Sequence, residues 1–185
     1  GLDHNSIRYS EKCRGARHGT MRDRGPVIAW NITKKCNYNC KHCYSSSETL
    51  DYDDEMTLGE IKNTVDSFKD MKVPVVLLSG GEPLFREDIF EIIEYIRDSG
   101  IGVSLSTNGS LIDEQVAFKL KDLGIGYVGI SIDGIKETND SFRGVDGAFE
   151  NSIRAIENCK KAGVKVGLRF TINKGNYLEI PKILN

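Results

Sequence analysis

The sequence lacks any long hydrophobic run. No apolar stretch approaches the ~18 residues that a membrane-spanning helix needs. It also lacks a charged-then-apolar leader of the kind that secretory signal peptides carry. Neither charge is in strong excess, because 25 Lys and Arg residues stand against 27 Asp and Glu residues and leave a net charge of −2. We therefore expect neither a membrane nor nucleic acid as a partner.

Cysteine is scarce and unevenly placed. Three of the five cysteines, Cys36, Cys40 and Cys43, lie close together, whereas Cys13 and Cys159 lie far from them. Extracellular proteins usually pair an even number of cysteines across the chain, so this pattern predicts a reducing, cytoplasmic compartment. Cys159 falls on the apolar side of a predicted helix and is expected to be a buried thiol, whereas Cys13 has no identifiable partner.

The length of 185 residues is enough for one domain with a substantial core. Residues 1–24 show no periodicity and are interpreted as a basic N-terminal extension, either solvated or folded over an acidic substrate. Residues 25–185 carry the domain. The chain begins at Gly1 rather than Met and stops before a sixth strand, which suggests a processed, tagged or excised chain.

Apolar strands alternate with amphipathic helices from residue 25 onward. The strands are predicted over residues 27–33, 75–79, 102–107, 127–133 and 165–172. The helices are predicted over residues 57–71, 86–99, 113–123 and 148–162, with a last one from residue 177. This alternation indicates an α/β fold with a parallel sheet, arranged either as an open doubly wound sheet or as part of a (β/α) barrel.

Polar residues stand at the carboxyl end of every predicted strand. In chain order they are Asn31 and Thr33, residues 79–82, residues 106–108, Ser131 and Asp133, and Arg169 and Thr171. The carboxyl-end rim of a (β/α) barrel is where its active site lies. Because all five strands turn polar at the same end, we favour a barrel segment of about five β/α units over a single crevice.

The three clustered cysteines form the pattern C-x3-C-x2-C directly after the first strand, and so on this rim. An iron–sulfur cubane normally takes four thiolates. Three thiolates can hold it and leave one iron open to a small molecule. Two alternatives remain: an inert iron–sulfur cluster, or a zinc site with His42 as fourth ligand. Tetrahedral ligation by adjacent His42 and Cys43 would be awkward.

A second candidate element follows the second strand as Gly80-Gly81-Glu82-Pro83. The two glycines let the backbone turn sharply and approach a ligand closely. Glu82 can accept a hydrogen bond from a ligand ammonium group.

Further candidates follow the third and fourth strands. Asn108, Ser131 and Asp133 offer hydrogen bonds to sugar hydroxyls or a carboxylate. Arg143, predicted to lie in a loop over residues 139–144, could bind a carboxylate through two parallel hydrogen bonds. Together these residues describe a ligand with an ammonium, a carboxylate and a ribose.

The sequence contains the spacing of a dinucleotide-binding fingerprint but not its structural context. Gly124-x-Gly126-x-x-Gly129 has the Rossmann spacing, but it ends a predicted helix and enters a strand. A Rossmann turn leaves a strand and enters a helix, so we do not expect a nicotinamide site here.

With Cys36-x3-Cys40-x2-Cys43 followed by Gly-Gly-Glu-Pro, the chain resembles the radical SAM enzymes over about residues 25–185. The resemblance implies a partial (β/α)6 TIM-like barrel, a [4Fe–4S] cluster and S-adenosylmethionine (SAM). It also implies reductive cleavage of SAM to a 5′-deoxyadenosyl radical. A reducing partner such as ferredoxin or flavodoxin would supply the electron.

The resemblance also assigns roles to single residues. Cys36, Cys40 and Cys43 match the cluster ligands, and Gly80, Gly81 and Glu82 match the contact to the methionine amine. Ser131 resembles the serine near the SAM ribose and carboxylate, and Arg143 resembles the arginine that meets the carboxylate in members with an auxiliary-cluster domain. His42 stands where an adenine-packing Tyr or Phe is usual, and Tyr44 is the other residue that could pack there.

Within the family, four segments look most like the branch that acts on tetrapyrroles in heme and heme d1 biosynthesis. They are VIAWNITKKCNYNCKHCY, STNGSLI, GYVGISIDGIKETNDSFRG and GLRFTINK. The resemblance implies side-chain removal from a tetrapyrrole, with conversion of 12,18-didecarboxysiroheme to Fe-coproporphyrin III as the favoured reaction. Oxidative decarboxylation of propionates and modification of a peptide are the alternatives.

Overall fold

The computed structural model describes residues 25–184, so the interpreted N-terminal extension and Cys13 lie outside the described residues. Five parallel strands form one sheet in the order β1-β2-β3-β4-β5. They are β1 (Ile28–Thr33), β2 (Val75–Gly80), β3 (Gly102–Thr107), β4 (Tyr127–Ser131) and β5 (Val166–Arg169).

Within the described residues, six helices accompany the strands. They are α1 (Leu58–Asp70), α2 (Ile89–Asp98), α3 (Glu114–Asp122), α4 (Glu137–Arg143), α5 (Ala148–Ala162) and α6 (Ile180–Leu184). Short 3-10 turns cover Pro83–Phe85 and Tyr177–Glu179. None of these helices has the length and apolar character needed to cross a membrane.

The strands pair in the order in which they occur along the chain. A doubly wound sheet reverses direction at a switch point and so breaks that order. The predicted α/β fold with a parallel sheet is confirmed, and the uninterrupted order is consistent with a segment of a TIM-like barrel.

The core lies between the sheet and its outer helices. Leu78, Leu105 and Ile130 from three neighbouring strands are completely buried, as are Ile92 and Ile96 of α2. Burying one such side chain contributes about 1.5–3 kcal/mol. Cys159 is also fully buried, as predicted.

Local sequence accounts for the start of α1. The Thr57 side chain accepts a hydrogen bond from the Glu60 backbone N–H, and the Glu60 carboxylate accepts one from the Thr57 backbone N–H. This capping box satisfies two helix-terminal donors. The helix then buries Ile61 and Val65 on its apolar face.

Several element boundaries differ from the sequence-based expectation, among them the start of the last helix, which is a 3-10 turn over Tyr177–Glu179. The second helix begins at Ile89 rather than Arg86, whose guanidinium donates instead to the backbone carbonyls of Ile32 and Met56. Strands β4 and β5 each end early, since the Asp133 and Thr171 backbone N–H groups beyond them donate to the Asn139 and Asp133 side chains. The prediction of a loop over residues 139–144 was wrong, because most of it belongs to α4.

Candidate functional site

A cavity of about 480 Å³ opens at the carboxyl ends of the strands. Its lining comes from the loop after β1 and from the ends of β2 to β5, and includes Cys36, Cys40, Cys43, Gly80, Gly81, Asn108, Ser131, Arg143, His42 and Tyr44. Of the predicted site residues, only Glu82 and Asp133 do not line this cavity. Both are completely buried behind it.

All three cysteines of the loop line this cavity, and each sulfur has a hydrogen-bond partner. The Tyr38 backbone N–H donates to Cys36 Sγ over 3.4 Å, and the Ser47 backbone N–H donates to Cys43 Sγ over 3.4 Å. An Arg143 guanidinium nitrogen lies 3.7 Å from Cys40 Sγ. Donors aimed at sulfur stabilise thiolates, which are the form that binds metal.

The three thiols differ in acidity. Burial raises the pKa of Cys36 to about 11. Burial also raises the pKa of Cys40, although Arg143 opposes the shift. For Cys43, burial is outweighed by hydrogen bonds from Ser45 and Ser47, and its pKa is lowered. Cys43 is therefore the thiol of the three that ionises most readily.

The donor set fits an iron–sulfur cubane better than a single ion. In residues 25–184, no group of three or more His, Cys, Asp or Glu side chains forms a site that could hold a metal ion. A cubane needs no such convergence, because each thiolate binds a different iron. Cys36, Cys40 and Cys43 all line one cavity, which places the three thiols around a common space.

The Gly80-Gly81 turn packs against the start of the cysteine loop. Gly80 has a φ of +130°, and a Cβ there would lie 2.1 Å from the Thr33 carbonyl oxygen. A Cβ on Gly81 would lie 2.3 Å from the Lys35 carbonyl oxygen. Glycine at both positions lets the turn donate backbone hydrogen bonds to Thr33 and Lys35.

Glu82 holds this turn to the end of β3. Its carboxylate accepts hydrogen bonds from the Thr107 hydroxyl at 2.8 Å, the Asn108 backbone N–H at 2.8 Å and the Leu84 backbone N–H at 3.1 Å. Burial raises the pKa of Glu82 to about 7 despite these donors. Its direct contact with a ligand ammonium stays a prediction.

Asn108 ties the end of β3 to the cysteine loop. Its amide donates to Asn37 Oδ1 over 2.9 Å, while its own oxygen accepts from the backbone and hydroxyl of Ser110. Ser131, at the end of β4, lines the cavity beside it. Both residues thus lie where the sequence places them.

Asp133 joins the cysteine loop to α4 and to the end of β5. One carboxylate oxygen accepts a hydrogen bond from the Thr171 backbone N–H at 2.6 Å. The other oxygen forms a salt bridge with Arg143 and lies 3.7 Å from His42 Nε2. Asp133 therefore fixes the guanidinium that approaches Cys40. We refer to Asp133, Arg143 and His42 as the Asp133 clasp.

His42 and Tyr44 occupy different environments. His42 stacks on Phe142 of α4, with ring centroids 4.4 Å apart. Burial and the nearby Arg143 charge lower the pKa of His42, against the pull of Asp133. Tyr44 is largely exposed, and its hydroxyl donates to Asn31 Oδ1 over 3.2 Å.

Several residues at or beside the cavity have no site role in the sequence-based prediction. Ser45 and Ser47 surround the Cys43 sulfur, and Phe142 supports His42. The serine run over residues 45–47, which begins two positions after Cys43, is a signal that could have identified the first two. The sequence predicts Arg169 only as a polar strand end, whereas the structure places it in the lining of the cavity.

Comparison with known proteins gives concordant matches. The family model described as the Radical SAM superfamily matches residues 30–185. The chain is 47% identical over 164 residues to Fe-coproporphyrin III synthase of Methanosarcina barkeri, covering 89% of this chain and 41% of the relative. It is 45% identical over 159 residues to pre-heme d1 synthase of Dinoroseobacter shibae, covering 86% and 39%.

One solved structure is similar to this chain in both fold and sequence. The crystal structure described as native anSMEcpe with bound AdoMet superposes with a TM-score of 0.65 at 29% identity, covering 77% of this chain and 42% of that chain. The chain spans about two fifths of the length of these relatives.

Proposed function

Because the chain belongs to the radical SAM superfamily, we propose that it acts as a radical SAM enzyme on a carboxylate-rich tetrapyrrole. Members of this superfamily use a [4Fe–4S] cluster and SAM. The observation that carries the proposal is the convergence of Cys36, Cys40 and Cys43 with the Gly80-Gly81 turn on one cavity.

Cys36, Cys40 and Cys43 would hold the cluster. When bound and reduced by a partner such as ferredoxin or flavodoxin, the cluster would supply the electron for cleavage of SAM into methionine and a 5′-deoxyadenosyl radical, which would abstract a substrate hydrogen. The protein's share of the chemistry is binding, orientation and electrostatics. The backbone of the Gly80-Gly81 turn and the Glu82 charge behind it would receive the SAM ammonium. Arg143 and Ser131 would receive its carboxylate and ribose.

Similarity to proteins named for Fe-coproporphyrin III and pre-heme d1 supports a tetrapyrrole substrate. We propose removal of the two acetate side chains of 12,18-didecarboxysiroheme, giving Fe-coproporphyrin III. Oxidative decarboxylation of propionates and modification of a peptide are the alternative reactions, which product analysis separates by mass.

The cofactor assignment is tested by reconstituting the protein with iron and sulfide without oxygen. We expect about four irons per chain, an electron paramagnetic resonance signal that changes when SAM is added to the reduced protein, and formation of 5′-deoxyadenosine. Cys40→Ala should lose the cluster absorbance and SAM cleavage together. Cys159→Ala is the matched control, because Cys159 is buried away from the cavity, and it should keep both.

Tetrahedral zinc in the purified protein, or a resonance signal indifferent to SAM, would refute the cofactor assignment. The substrate assignment has a separate test. We expect 12,18-didecarboxysiroheme to shift its Soret band on binding and to lose two acetate groups during turnover. If 12,18-didecarboxysiroheme binds but its mass changes in any other way, the proposed reaction is rejected. If it does not bind, the tetrapyrrole is rejected as the substrate.

A further inference from the structure

Arg169 is the last residue of β5 and lies at the cavity. In the β4–β5 register it lies beside Ser131, and side chains at paired positions of neighbouring parallel strands project from the same face. Both residues line the cavity. Arg169 therefore belongs to the same surface as the proposed SAM contacts.

Gly129 provides the space in which the Arg169 side chain lies. A Cβ at Gly129 would lie 2.3 Å from Arg169 Nε and 3.0 Å from Arg169 Cδ. Any larger residue there would displace the arginine, because real Cβ atoms do not approach so closely. The absent side chain on β4 thus lets the guanidinium lie against the sheet.

The two arginines of the cavity differ in charge compensation. Arg143 is paired with Asp133. Arg169 Nε is buried without a hydrogen-bond partner, and no carboxylate within residues 25–184 forms a salt bridge with Arg169. A partly buried cation without a counter-charge carries a desolvation cost that a bound anion would offset.

We propose that Arg169 binds a carboxylate of the substrate. The inference rests on the proposed function, which gives the substrate acetate or propionate groups. A guanidinium presents a planar fork that matches a carboxylate. Arg143 is already the candidate for the SAM carboxylate, so Arg169 is the arginine that remains for the substrate among the cavity residues within 25–184.

The experiment measures binding of Fe-coproporphyrin III to the cluster-loaded protein from the shift of its Soret band. Arg169→Gln should weaken affinity roughly ten- to hundredfold, the range for one lost charged hydrogen bond. Arg169→Lys should recover part of the loss, because it keeps the charge without the fork. The matched control is Arg154→Gln, since Arg154 is exposed on α5 and lies outside the cavity. It should bind like the wild type.

A second probe isolates the carboxylate. The tetra-amide of Fe-coproporphyrin III should bind the wild type more weakly, whereas Arg169→Gln should discriminate little between the acid and the amide. Such non-additivity identifies a direct pair. SAM affinity and the resonance signal of the reduced cluster should be unchanged in Arg169→Gln, which shows that the site is intact.

Three outcomes overturn the inference. If Arg169→Gln binds the porphyrin as tightly as Arg154→Gln does, Arg169 is not part of the substrate site. A loss of SAM affinity with unchanged porphyrin affinity assigns Arg169 to SAM instead. Failure of the wild type to bind any carboxylate-bearing porphyrin rejects the proposed substrate itself, and this inference with it.

Discussion

At the scale of single residues, Glu82 combines a structural and an electrostatic contribution. Its carboxylate receives three hydrogen bonds from β3 and its own turn while completely buried. Burial shifts its pKa to about 7 from an ordinary 4.5. A raised acid pKa means that the folded protein binds this proton more tightly than the unfolded chain, so Glu82 lowers stability as pH rises from 4.5 to 7.

The same shift predicts the pH dependence of SAM binding. Under the proposed contact, the SAM ammonium favours ionised Glu82, so affinity should rise as pH increases and level off above about 7. Below the pKa the change should approach tenfold per pH unit. We expect SAM dissociation constants, measured by equilibrium dialysis between pH 6 and 7.5, to show this slope in the wild type.

Glu82→Gln cannot ionise and should lose the slope. Glu150→Gln is the control, because Glu150 is exposed on α5, and it should keep the wild-type slope. A flat wild-type profile, or an unchanged slope in Glu82→Gln, would show that this carboxylate does not sense the ammonium.

At the scale of elements, the cysteine loop is docked on the end of α4. The Lys41 backbone N–H donates to the Phe142 carbonyl over 2.9 Å, and His42 stacks on Phe142. Gly144 closes α4 with a φ of +72°, and a Cβ there would lie 2.3 Å from the Asn39 carbonyl oxygen. Glycine at 144 therefore permits the close approach of loop and helix.

Gly144→Ala should disturb the cysteine loop, whereas Gly147→Ala should not. Both glycines have left-handed φ values, +72° and +77°, so each alanine costs about 1–2 kcal/mol of backbone strain. Only Gly144→Ala also meets backbone, since a Cβ on Gly147 has nothing within 4 Å. We expect reduced iron content after reconstitution in Gly144→Ala alone. Equal iron content in the two variants would show that the close packing of Gly144 against Asn39 does not affect iron binding.

The element boundaries and the Asp133 clasp separate the features that the sequence predicts from those that depend on tertiary contacts. Alternating apolar strands and amphipathic helices located every strand and all helices except α4, since that pattern follows local burial. The early ends of β4 and β5 depend on backbone bonds to Asn139 and Asp133. The Asp133 clasp brings His42 to Asp133 across about 90 positions of sequence, and local periodicity carries no information on such a contact.

At the scale of the whole molecule, stability resides in the layer between sheet and helices, away from the rim. Leu105→Ala should cost about 2–5 kcal/mol of unfolding free energy, because Leu105 is completely buried in β3. Phe118→Ala on α3 should cost clearly less, since Phe118 is 46% exposed. Urea unfolding of both variants measures the difference. Equal losses would show that the sheet centre is not the main source of stability.

The Asp133 clasp has an evolutionary consequence. The cysteine loop contributes His42 to it, α4 contributes Arg143, and β4 leads into Asp133, so none of the three segments is a self-sufficient module. A chimera that imports a foreign cysteine loop without its matching α4 would inherit a mismatched contact. Positions 42, 133 and 143 should therefore change together across related enzymes, as one heritable unit distributed over three segments of the gene.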